Sequence, residues 1–121
     1  MSSQKEFCDR MVRLLNQVAP VTARAMFGGY GLYAEGVMFA LIAEEILYFK
    51  VDDENRAAYL AAGSGPFTYD RKGKPTQMSY YQVPNILLQD ASQLVTWVDE
   101  ARAAAKRAKQ KRKPTKRSLP E

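Results

Sequence analysis

The chain contains no histidine and a single cysteine, Cys8. The first absence removes Ser-His-Asp and Cys-His nucleophile arrangements and every histidine-containing zinc site. The second removes an internal disulfide framework and a thiolate zinc cluster, and a lone cysteine suits a reducing compartment. Long apolar runs are missing too. No stretch approaches the roughly 20 apolar residues needed to span a bilayer, and the opening MSSQKEF holds no apolar segment of signal-peptide length. The expectation is a cytoplasmic, non-enzymatic protein without cofactor or metal. What remains for catalysis is carboxylates, lysines, tyrosines and one thiol.

What is present fits one domain. The 121 residues, 46% hydrophobic and 26% charged, suit a single globular body with its own core. The net charge of +5 is unevenly placed. Nine basic residues and one acid lie between Arg102 and Glu121, leaving nine basic against twelve acidic side chains in residues 1–101. The body is mildly acidic and the end strongly basic.

Phe7, Met11, Leu14, Leu15 and Val18 recur at helical spacing and predict a helix over residues 3–18, with Cys8 a small core residue beside the stripe. From Ala23 the pattern turns to strands. Residues 31–34, 37–42 and 47–51 read as an antiparallel meander, with Glu35-Gly36 and Glu44-Glu45 at its turns. Asp52 or Asp53 is expected to cap a helix running to about Ala62, and Gly63 to end it in the left-handed region. Residues 67–69 and 77–83 form a second hairpin whose tip carries Arg71, Lys72 and Lys74. Asp90 with Gln93 fits a capping box for the last helix, in which Leu94, Trp97, Val98, Ala101, Ala105 and Ala108 recur. That helix is expected to fray near Lys109–Lys113, because Pro114 blocks its continuation. The order is α-βββ-α-ββ-α, an α+β fold with a five-stranded antiparallel sheet. The domain is placed at residues 1–106, and a basic, disordered tail at 107–121.

Several stretches stand together at characteristic spacing: residues 25–33 (AMFGGYGLY), 36–40 (GVMFA), 47–52 (LYFKVD), Asn55-Arg56, 67–69 (FTY), 71–74 (RKGK) and 78–84 (MSYYQVP). The combination resembles the N-terminal domain of the TfoX/Sxy family of bacterial competence regulators, over about residues 7–105. The resemblance implies a two-layer α-β(3)-α-β(2)-α fold similar to type III secretion chaperones. It also implies a link to transcription, since two-domain members assist a cyclic-AMP receptor protein at competence promoters. The expectation here is a stand-alone domain, with a basic stretch where those members carry a second domain.

Candidate chemistry is sparse. FGGYG at 27–31 lacks the GK[ST] ending of a phosphate loop and reads as glycines where two strands meet at a bend or bulge. Phe27, Tyr30, Tyr33, Tyr48, Tyr69, Tyr80 and Tyr81 are mostly sheet packing, with a nucleobase-stacking surface as the competing use. Tyr80 and Tyr81 must face opposite sides of their strand. Asp52, Asp53 and Glu54 lack metal-loop spacing and suit a helix start. Lys50, Tyr80 or a carboxylate are the groups an enzymatic reading would use. Lys106, Arg107, Lys109, Lys111, Arg112, Lys113, Lys116 and Arg117, with Arg71, Lys72 and Lys74 on the hairpin, are the candidate nucleic-acid contacts. No apolar face accompanies the tail, so a membrane surface is not expected. The reading is a regulatory or adaptor domain with a protein partner and nonspecific attraction to DNA or RNA. The alternative is a protein-binding module, homodimeric or chaperone-like, with the tail as solubiliser.

Overall fold

The computed structural model describes residues 3–26 and 28–117, with side chains at all of these except 3, 69–71 and 111–117. Helix α1 (Ser3–Leu15) buries Cys8, Met11 and Leu15 as its stripe requires. It ends a turn earlier than its pattern predicts, because Asn16 captures the chain. The Asn16 Nδ2 donates to the Val12 and Val21 carbonyls (2.7 and 3.1 Å), and its Oδ1 accepts from the Val21 amide (3.1 Å). A side-chain amide that satisfies backbone groups in this way competes with the helix ladder. Burial is the main cause pushing the Cys8 thiol above its ordinary pKa, which suits a packing residue rather than a nucleophile.

Six strands follow rather than five: β1 (Thr22–Met26), β2 (Gly29–Ala34), β3 (Val37–Ala43), β4 (Ile46–Lys50), β5 (Pro66–Arg71) and β6 (Lys74–Gln82). They form one antiparallel sheet in the order β1-β2-β3-β4-β6-β5. The added strand is β1, an exposed edge whose TARAM sequence shows no apolar alternation to announce it. Gly28 and Gly29 thus lie where two strands meet, as the sequence reading has it, with Gly29 opening β2 opposite Met26 of β1. The turns at Glu35-Gly36 and Glu44-Glu45 fall where the sequence put them, all four residues at positive φ. In β3 the register against β2 shifts after Leu32↔Ala40 to Tyr33↔Met38, leaving Phe39 as the extra residue of a bulge. Phe39 and Ala40 are both fully buried as a result.

The core lies between one sheet face and the helices. Leu32, Ala40, Phe49 and Tyr81 occupy one row across β2, β3, β4 and β6. Against that face pack Leu15 of α1, Tyr59 of α2 (Arg56–Ala61), Leu87 of a 3-10 turn (Asn85–Gln89), and Leu94, Val98, Ala101 and Ala105 of α3 (Ala91–Arg117).

Helix α2 starts at Arg56 after Asn55, not at Asp52 or Asp53. Asn55 is 4% exposed, and its Oδ1 accepts from the Asp52 amide (2.8 Å) while Nδ2 donates to the Lys50 carbonyl (3.1 Å). It therefore closes the β4–α2 turn, and Asp52 is left to accept from the Glu54 amide (3.0 Å). Asn55→Ala removes both of these part-buried hydrogen bonds, and the expected loss is about 2–3 kcal/mol, read as a lowered urea midpoint at unchanged slope. A midpoint equal to wild type would mean that water replaces the amide without cost.

Gly63 ends α2 at φ +81, as expected. Asp90 caps α3: Oδ1 accepts from the Gln93 amide (3.3 Å) and Oδ2 from Gln93 Nε2 (2.9 Å). The helix then continues past Lys109–Lys113 to Arg117, where the sequence expected fraying. Alanine, lysine, arginine and glutamine fill these turns and are all strong helix formers. Pro114 removes one donor near the end of the helix.

Candidate functional site

Strand alternation gives the sheet a second face, pointing away from the helices. Arg24, Gly31, Leu41 and Tyr48 lie in one row across β1 to β4, and Lys50 stands opposite Tyr80 on β4 and β6. A sheet face turned to water should be polar at these positions. Here it carries methionine, leucine and aromatic side chains. Gly31 makes the floor: a Cβ there would come within 3.0 Å of the Met38 sulfur and 3.1 Å of the Met26 sulfur, so its absence lets the two thioethers converge.

The face becomes a groove because two other elements rise beside it. Strand β6 pairs with β4 only from Tyr80 to Gln82, so residues 74–79 run past the end of β4 and carry the β5–β6 hairpin with them. Helix α3 reaches the same end of the sheet. There Arg102 and Lys106 meet Glu35 (3.4 Å each) in the β2–β3 turn. Arg107 meets Asp52 in a bidentate pair (2.7 and 3.0 Å), with Glu54 at 3.6 Å. The groove between them holds about 530 Å³. Met26, Met38 and Leu41 line it from the sheet, Phe67 and Met78 from the hairpin, and Ala105, Ala108 and Lys109 from α3.

Among the described side chains no carboxylate lines the groove, while Lys50 and Lys109 do. The Lys50 ammonium stands 5.2 Å from the Tyr80 ring centre, and the Arg24 guanidinium 5.4 Å from that of Tyr33. Tyr48 meets Phe67 edge-on at 5.0 Å, and burial is the main cause raising its phenol pKa, with Glu44 adding to it.

The residues singled out by sequence are distributed as follows. Tyr81 faces the core against Tyr59 and Tyr80 faces the groove, the opposition their adjacency requires. Tyr30 packs against the core cluster. Phe27 lies outside the described residues, and the side chains of Tyr69, Arg71, Lys111, Arg112, Lys113, Lys116 and Arg117 lie outside the described side chains. Lys72 and Lys74 are exposed at the hairpin tip. Lys106 and Arg107, assigned to either side of the domain boundary, are both ion-paired to the body, and Lys109 is at the groove mouth. The hairpin tip and the basic end of α3 therefore leave from the same end of the sheet. Asp52, Asp53 and Glu54 each meet an arginine, and among the described residues no group of three His, Cys, Asp or Glu is placed to hold a metal ion. None of the described helices is long and apolar enough to cross a membrane. Sequence reasoning missed the methionines. Their signal was available: Met38 and Met78 occupy strand positions where a solvated face would carry polar residues.

The family model described as the TfoX N-terminal domain matches residues 13–105. That span contains every sheet residue of the groove and stops at Ala105, before the run of cations. A curated relative, DNA transformation protein TfoX1 of Aliivibrio fischeri, is 27% identical over 93 residues, covering 77% of this chain and 44% of the relative. The chain thus spans less than half the length of that relative.

Proposed function

The chain belongs to the TfoX N-terminal domain family, a family of competence regulators, and from that premise we propose that it is a non-enzymatic regulatory adaptor. The body engages a protein partner, and the basic end of α3 adds sequence-independent attraction to nucleic acid near transcribed DNA. The relative's printed name, a DNA transformation protein, supports a role connected with DNA transformation.

The observation that carries the nucleic-acid part is the charge partition along α3. Lys106 and Arg107 are paired to body acids. Beyond them, Lys109, Lys111, Arg112, Lys113, Lys116 and Arg117 follow with no acid among them. Each phosphate neutralised adds about 0.9 to the slope of log affinity against log salt, so six contacts would give a slope of about −5. In the full chain with Lys111, Arg112, Lys113, Lys116 and Arg117 all replaced by glutamine, the expected slope on mixed-sequence duplex DNA is about −1. Equal slopes for the two proteins would remove the role of the basic end. The second reading is a protein-binding module, with the cations serving solubility alone. The apolar groove favours it, and it predicts no salt-dependent DNA binding by either protein.

A further inference from the structure

We infer that the groove between the helix-free sheet face, the β5–β6 hairpin and the end of α3 is the docking site for an acidic amphipathic segment of the partner protein. This rests on the adaptor reading above and names the chemistry of what the adaptor holds. Three observations select that occupant.

The first is the material of the walls. Met26, Met38 and Met78 supply the groove from β1, β3 and β6. Unbranched thioethers adapt to apolar side chains of varied shape, which suits a segment of another chain better than a rigid small ligand.

The second is charge. Among the described side chains Lys50 and Lys109 line the groove and no carboxylate does. The acids nearest its α3 wall are already engaged, Glu35 by Arg102 and Lys106, Asp52 by Arg107. Helix α3 leads from the mouth into further cations at residues 111–113. A segment seated on the methionines with glutamates or aspartates along its polar edge would meet positive charge at the mouth, from Lys109, and at the exit beyond it.

The third separates this occupant from a nucleic acid. Base stacking needs open aromatic faces beside the cations. Tyr80 is only 7% exposed with Lys50 over its ring, and Arg24 stands over the ring of Tyr33. The cations occupy the stacking positions, whereas the methionines leave apolar depth.

The test uses the full chain labelled with carbon-13 at the methionine methyl groups. The probe is a short acetylated peptide with leucines at helical spacing and glutamates between them. The expected result is that Met26, Met38 and Met78 signals move together with peptide concentration, while Met11, packed in the core, stays in place. Affinity read by fluorescence anisotropy should fall about tenfold in Met38→Glu and in Lys109→Glu, each of which sets like charge against the peptide. The unmutated chain carries the methyl test by itself, so a variant that fails to fold does not decide the matter. A peptide with serines in place of the leucines should bind at least about tenfold more weakly, since its apolar anchors are gone. Equal binding of that peptide would mean charge attraction alone and overturn the inference. Movement of the same methyl signals by single-stranded DNA would give the groove to nucleic acid and also overturn it. Silent methyl signals alongside intact salt-dependent DNA binding would remove the docking site and leave the regulatory reading standing.

Discussion

Gly29→Ala should cost about 3 kcal/mol or more and shift the urea midpoint further than any other glycine substitution in the β1–β2 turn. The reason is contact, not backbone angle. A Cβ built on Gly29 overlaps the Ile42 carbonyl oxygen of β3, with the Ile42 carbonyl carbon at 3.2 Å and the Ala43 Cα at 3.5 Å. All of these are backbone atoms, so no side chain can swing away and β2 must separate from β3. Ile42 is itself in the core, next to Leu32 and Leu47. Gly28 makes the contrast. It has φ +76 but nothing within 4 Å of a built Cβ. Gly28→Ala should therefore cost only the conformational penalty of a non-glycine residue in the left-handed region, about 1 kcal/mol. Gly28→Asn should recover part of it, because asparagine tolerates that region. If both alanine variants lose the same stability, close strand approach at Gly29 does not explain the double glycine.

Tyr59→Ala should be the other severe change, losing about 3–5 kcal/mol. The side chain is 1% exposed, and its ring meets Trp97 edge-on at 4.5 Å and Tyr81 at 5.9 Å. Among the described residues it is the largest fully buried side chain, and it joins α2 to Trp97 of α3 and Tyr81 of β6. Its hydroxyl tells a different story, for Tyr59 Oη is buried with no hydrogen-bond partner among the described residues. Tyr59→Phe keeps the ring and removes the unpaired group, so stability at pH 7 should be unchanged or higher by about 1 kcal/mol. Burial, with a smaller contribution from Glu100, holds the phenol pKa far above its ordinary 10. A pKa raised on folding supplies stability that is complete below the unfolded value and lost as pH rises through the folded one. Above about pH 10 the unfolded chain releases this proton and the folded chain keeps it, so wild type should weaken by up to about 1.4 kcal/mol per pH unit relative to Tyr59→Phe. Tyr48 is raised as well but is present in both proteins. Urea midpoints of the pair between pH 9 and 11 that run parallel would show that Tyr59 ionises freely in the folded state.

Nearest-neighbour chemistry made much of the fold legible. The stripe of Met11 and Leu15, the turn at Glu35-Gly36, the Asp90 cap and the left-handed Gly63 all depend on residues within a few positions of one another. Tyr80 and Tyr81 were assigned opposite faces by pleating alone. β1 was not counted because Thr22, Ala23, Arg24 and Ala25 are exposed and show no period. The start of α2 was misplaced for a non-local reason. Asp52 reads as free to cap, and its Oδ1 does accept from the Glu54 amide, but both its carboxylate oxygens are also held by Arg107, 55 residues away. The groove was hidden for a similar reason: methionine, leucine and tyrosine in a strand state apolarity without stating which layer covers it.

The sequence by itself determined an α+β chain without histidine chemistry, resembling a competence-regulator domain, and a charge split between an acidic body and a basic end. Only the tertiary structure decided that the methionines share one uncovered face, and that the hairpin and α3 leave from the same end of the sheet. Local patterns set which backbone state each segment prefers. The pairing of β4 with β6 and the clasp of Arg107 on Asp52 join distant segments, and those contacts form only when the whole core closes.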